Sequence, residues 1–245
     1  MKSLLTYLLI SFSIYSCNQK ETAMLNPVPE NIPEEQTPET TDTTKLSYLA
    51  LGDSYTIGES VKVKERWPVI LADSLINRAY DLGEPKIIAR TGWTTDELQV
   101  AIKGEKITDT FSIASLLIGV NNQYRGYAIA QYEKEFKELL QTAIEFAGND
   151  ASKVFVVSIP DYSATPFAAS SDKEKIAKEI DEYNQIAETI CNKYQIKYFN
   201  ITPISREADY DTSLVADDGL HPSGAMYNKW VKLFLDDVVD IIESN

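Results

Sequence analysis

The chain has 245 residues, 44 % hydrophobic and 24 % charged, which supplies a sizeable core and excludes wholesale disorder. Its 23 lysines and arginines stand against 37 acids, and a net charge of −14 argues against nucleic acid as a partner. Two cysteines make no disulfide framework, and a single histidine removes histidine-rich metal sites and confines any imidazole chemistry to His221.

The amino end reads as an address. Met1-Lys2 carries one positive side chain, and the apolar run from Leu4 to Tyr15 falls short of the ~20 residues that span a bilayer. This is the pattern of an export signal, residues 1–16. Ile14-Tyr15-Ser16-Cys17 resembles the cleavage box of bacterial lipoproteins, which implies lipidation of Cys17 and a place in the bacterial cell envelope, the alternative being an ordinary secretory signal with an incidental cysteine and a secreted protein. The membrane would then be reached through the lipid anchor alone. Residues 17–45 hold Pro27, Pro29, Pro33 and Pro38 among acids and threonines. With little to bury, this stretch reads as an extended tether.

From residue 46 onwards, short apolar runs alternate with amphipathic ones. Leu46–Leu51 predicts a strand that stops at Gly52-Asp53-Ser54, and Trp67–Ala79 has helical spacing. A strand follows over Lys86–Ala89, then a capping box at Thr94 to Glu97 opens a helix to about Lys103. Ser112–Ile118 and Lys153–Ile159 are almost wholly apolar, as strands buried on both faces are. Between them Tyr132–Ala147 is amphipathic. A second capping box, Ser171 to Glu174, opens a helix to about Tyr194, with Cys191 on its apolar stripe. Ile196–Asn200 is the last strand and Ser223–Ile242 the last helix. The alternation predicts an α/β fold, a three-layer α/β/α sandwich on a five-stranded parallel sheet.

Ligands of such sheets bind beyond the carboxyl ends of the strands. There the chain delivers Ser54, Gly92, Asn121-Asn122, Asp161-Tyr162 and the run Asp217-Asp218-Gly219-Leu220-His221. A serine hydroxyl needs an adjacent base to become a nucleophile, and an imidazole titrating near neutrality serves. An aspartate three residues before it, Asp218, can hold the other ring nitrogen. The Ser54 and Gly92 amides and the Asn121 side chain are candidate donors to an oxyanion.

These residues resemble the SGNH, or GDSL-type, serine esterases and lipases. The blocks are Gly52-Asp53-Ser54-Tyr55-Thr56, Ala89-Arg-Thr-Gly92-Trp-Thr94, Gly119-Val-Asn121 and Asp218-Gly-Leu-His221-Pro-Ser223. Tyr55 stands where the family has leucine, and Asn122 where an aspartate often follows the asparagine. The resemblance implies a flavodoxin-like hydrolase domain over residues 46–245, with a Ser54-His221-Asp218 triad and an oxyanion hole of Ser54, Gly92 and Asn121. It implies no cofactor and no metal, and the chain is expected to be a monomer. Trp93, Asn122, Tyr124, Arg125, Tyr162 and Phe167 flank the expected rim as candidate substrate contacts. The implied substrates are short-chain acyl esters, O-acetylated glycans or lysolipids. A thioesterase or peptidase on the same triad, and a non-catalytic surface lipoprotein binding glycan or lipid, are the alternatives.

Overall fold

Strands and helices alternate throughout the described residues, 45–244 of a computed structural model. The export signal, Cys17 and the tether up to residue 44 lie outside the described residues. In chain order the first half comprises β1 (Tyr48–Gly52), α1 (Ser54–Ile57), α2 (Trp67–Ile76), β2 (Lys86–Ala89), α3 (Thr95–Glu105) and β3 (Ile113–Leu117). The second half comprises α4 (Val120–Tyr124), α5 (Ile129–Phe146), β4 (Val154–Val157), α6 (Lys173–Tyr194), β5 (Lys197–Phe199), α7 (Thr202–Ser205) and α8 (Gly224–Glu243).

The strands form one parallel sheet in the order β2-β1-β3-β4-β5. Every residue of β1, β3 and β4 is buried, whereas β2 and β5, at the edges, each begin with an exposed lysine. The crossovers put α2 and α8 together on one face and α3, α5 and α6 on the other. This is the expected three-layer sandwich. On the first face Trp67, Phe155, Phe199 and Phe234 pack ring on ring, with Phe199 and Phe234 stacked at 5.1 Å. On the second, Tyr132 lies 4.5 Å from Tyr183 and 5.5 Å from Phe136.

Helix starts follow local chemistry. Thr94 and Glu97 close the expected capping box on α3. The box expected at Ser171 is displaced by one residue: Asp172 is the cap, its carboxylate accepting from Lys175 N at 3.0 Å. A carboxylate is the stronger acceptor for an amide, so it takes the position from the neighbouring hydroxyl. Cys191 is fully buried on α6, and burial pushes its thiol up to about 12.

The chain moves from β1 to β2 in one direction and then returns past β1 to β3. The carboxyl ends of β1 and β3 therefore flank the switch point, where an open α/β sheet leaves a crevice. Gly52 ends β1 there so tightly that a Cβ on it would lie 2.5 Å from the Leu117 carbonyl oxygen.

Candidate active site

Ser54 is the first residue of α1, directly after β1. Asp53 caps the turn, its Oδ1 accepting from Tyr55 N at 3.0 Å, while its Oδ2 is buried without a partner. Burial pushes the Asp53 carboxyl up to about 7, against the opposing pull of the Tyr55 N–H. Neither the Ser54 nor the Gly92 N–H donates in the backbone bonds that close these turns.

Across the switch point, Gly119 opens α4 with φ +132°, and a Cβ there would meet the Tyr132 ring at 2.5 Å. Only glycine accommodates both, so the chain can turn sharply and present Asn121. One N–H of the Asn121 amide goes to the Trp93 carbonyl at 3.0 Å, leaving its second for the cleft. The loop that carries Gly92 is held at three points. Thr91 donates to Glu59, Arg125 Nη2 donates to the Gly92 carbonyl at 2.6 Å, and Asn121 holds Trp93.

The segment between α7 and α8 supplies the remaining pair. Asp218 Oδ1 accepts from the Leu220 and His221 backbone N–H groups, each at 2.9 Å. Its Oδ2 lies 2.6 Å from His221 Nδ1 and accepts from Ser60 Oγ at 2.6 Å. Partial burial works to raise the Asp218 carboxyl, but the Ser60, His221 and Leu220 bonds outweigh it and hold the group well below the usual carboxylate range. An ionised Asp218 fixes the tautomer of His221 with Nδ1 protonated, which frees Nε2 as an acceptor. Tyr55 packs against the imidazole, ring centroids 5.3 Å apart, so the residue that replaces the family leucine buttresses the histidine.

Ser54, Gly92, Asn121 and His221 line one cleft of about 520 Å³, together with Tyr55, Thr91, Val120, Tyr124, Tyr162, Phe167 and Leu220. Among the described residues no hydrogen bond closes between the Ser54 and His221 side chains, the open geometry frequent in unliganded serine enzymes. Tyr124, Tyr162 and Phe167 meet in pairs at 6.1–6.2 Å and form an aromatic wall. A larger groove of about 1160 Å³ runs along α2, but it holds no pairing of hydroxyl and imidazole.

Three expected substrate contacts lie elsewhere. Asn122 is fully buried, its Oδ1 accepting from Thr95 N at 3.0 Å and its Nδ2 donating to Thr95 Oγ1 at 2.7 Å. It pins the start of α3 to the α4 turn and cannot face the cleft, because a buried amide has to satisfy its own polar atoms. Trp93 packs against the core and offers the site only its backbone carbonyl. Arg125 spends its guanidinium on Glu97 and the Gly92 carbonyl. Glu59 and Ser60 are functional-site neighbours with no signature in the sequence, since their partners lie far along the chain.

With this geometry in view, the family profile described as "GDSL-like Lipase/Acylhydrolase family" matches residues 50–229. The chain belongs to the GDSL-like lipase/acylhydrolase family. This GDSL hydrolase is accordingly an enzyme acting on ester bonds. No curated protein matches it significantly in sequence. Among solved structures, TesA superposes with a TM-score of 0.62 at 16 % identity, over 80 % of this chain and 99 % of its own. The psychrotrophic esterase EstA from Pseudoalteromonas sp. gives 0.58 at 15 %, over 81 % and 99 %. The acetyl xylan esterase Axe2 from Geobacillus stearothermophilus, as a variant, gives 0.60 at 17 %, over 79 % and 96 %. At these identities the likeness to the GDSL hydrolase is one of fold.

Proposed function

We propose that this GDSL hydrolase is a serine esterase that cleaves small carboxylic esters through a covalent acyl-enzyme. The observation that carries the reading is the His221 Nδ1 to Asp218 Oδ2 contact of 2.6 Å, made on the rim of the cleft that Ser54 lines. Ser54 Oγ attacks the ester carbonyl carbon while His221 Nε2 takes its proton. Asp218 stays ionised and stabilises the imidazolium. The Ser54 and Gly92 amides and the free N–H of Asn121 receive the oxyanion. Collapse of the tetrahedral intermediate breaks the ester bond, and His221 returns the proton to the leaving alcohol. Water, deprotonated by His221, then attacks the acyl carbon and releases the acid with Ser54 restored.

The apolar lining of Val120, Leu220, Tyr124, Tyr162 and Phe167 supports an acyl pocket in this cleft. The alcohol side, an O-acetylated glycan or a lysolipid, is open to solvent in this reading. In this reading the enzyme is exported and anchored through Cys17, and works on esters accessible in the cell envelope.

The test is hydrolysis of p-nitrophenyl esters, from acetate to long acyl chains, by the purified full-length protein and its Ser54→Ala variant. Activity with a short-chain optimum that vanishes in the variant is the expected result. Turnover that survives Ser54→Ala refutes the nucleophile, and preferential cleavage of the matched thioesters or amides reassigns the substrate.

A further inference from the structure

We propose that Ser60 is a positioning residue of the triad, whose hydroxyl fixes the carboxylate oxygen of Asp218 that orients His221. The inference rests on the reading of Asp218 as the triad acid.

In the sequence, Gly58-Glu59-Ser60-Val61 is an ordinary polar turn after the first motif. The structure gives it an uncommon backbone. Ser60 has φ +63°, the left-handed region that L side chains avoid and that glycine, asparagine and aspartate more usually fill. A non-glycine residue persists there when its surroundings over-determine it, and such residues cluster at functional sites. What Ser60 gains is a single contact across 158 positions of sequence: Oγ donates to Asp218 Oδ2 at 2.6 Å.

That oxygen is the one that faces His221 Nδ1, also at 2.6 Å. The two other bonds to the carboxylate, from Leu220 and His221 N–H, both end on Oδ1 and arise inside the loop that carries Asp218. They anchor one oxygen and leave the carboxylate plane free to turn about it. The Ser60 hydroxyl, arriving from a different part of the chain, removes that freedom. Its bond is charge-assisted and hence stronger than a neutral one.

Ser60 also lies at the end of the segment that begins with the nucleophile. The Ser54 carbonyl accepts from both Gly58 N and Glu59 N, the latter at 3.0 Å, so residues 54–60 are one braced turn. The nucleophile is attached to its amino end, and its carboxyl end grips the triad acid. Ser54 and Asp218, far apart in sequence, thereby share one rigid support. A displacement of either would move the other with it.

The experiment compares Ser60→Gly, Asp218→Asn and the double variant in the full-length enzyme, with p-nitrophenyl acetate as substrate. Glycine suits φ +63°, so Ser60→Gly removes the hydroxyl without backbone strain, and its melting temperature should equal or exceed that of the parent. The expected kcat is lower by about ten-fold, with KM within about two-fold, because the lost restraint acts on the transition state rather than on binding. Since Ser60 works through Asp218, the double variant should be no slower than Asp218→Asn alone. A Ser60→Gly enzyme with parental kcat, or a double variant whose losses multiply, overturns the assignment while leaving the triad intact. A kcat loss matched by a fall in melting temperature overturns it as well, since Ser60 would then serve stability only. Parental kcat in Asp218→Asn refutes the triad reading itself, and the role of Ser60 with it.

Discussion

The buried aspartate beside Ser54 makes stability depend on pH in a direction opposite to most carboxylates. Asp53 is fully buried, with one oxygen bound to Tyr55 N and the other without a partner. Its carboxyl holds a proton up to about 7 in the folded protein, whereas an unfolded aspartate releases it near about 3.9. The folded state thus binds the proton more tightly. The stabilisation from this group is complete below about pH 3.9 and is lost as pH rises through about 7. The whole gap is worth about 4 kcal/mol, of which about 2–3 kcal/mol falls between pH 5 and pH 8. Asp53→Asn keeps an acceptor for Tyr55 N and cannot ionise, at the cost of one buried N–H, roughly 1–3 kcal/mol at every pH. Urea denaturation of both proteins at pH 5 and pH 8 isolates the ionisation, because every other titrating group cancels. The stability difference between variant and parent should move by about 2–3 kcal/mol in the variant's favour from pH 5 to pH 8. Parallel curves would refute the reasoning, for they would mean that Asp53 titrates like a solvated carboxylate.

Asn121→Ala removes one of the proposed oxyanion donors and should lower kcat by about 10²–10³, equal to ~2.7–4 kcal/mol of barrier, with the fold retained by circular dichroism. A kcat within a few-fold of the parent would take Asn121 out of that role. Gly119→Ala places a Cβ 2.5 Å from the Tyr132 ring at φ +132°, so overpacking and backbone strain together should cost about 3–5 kcal/mol in chemical denaturation. Asn122→Ala strips two bonds from Thr95 in a dry setting and should destabilise by about 2–4 kcal/mol, leaving KM for small esters near the parental value. A large rise in KM with little change in stability would instead return Asn122 to the substrate.

How much of this was legible in the sequence depends on the range of the interaction. The fully apolar runs at Ser112–Ile118 and Lys153–Ile159 read as central strands because a strand covered on both faces can carry nothing polar. The long amphipathic stretches read as helices for the same local reason. By contrast, α1, α4 and α7 have four or five residues each, too few to display a 3.6-residue period, so the sequence does not show them. The cap of α6 was misplaced by one residue because Ser171 and Asp172 are both good caps, and local chemistry alone does not rank them in context.

The amino-acid sequence by itself determined the alternating architecture, the strand ends at which chemistry would gather, and the residues of the proposed triad as candidates. Each of those depends on burial periodicity or on short spacings such as the three residues from Asp218 to His221, which one loop carries. Tertiary structure decided the rest. It directed Asn122 into the core and Tyr124, Tyr162 and Phe167 to the cleft, although all are polar or aromatic residues beside the same rim. It also brought Ser60 onto Asp218 and Glu59 onto Thr91, pairings set by the strand order β2-β1-β3-β4-β5 rather than by any local pattern. Contacts between distant segments depend on how the sheet is threaded, and the period of a side chain within its own strand or helix carries no record of that threading.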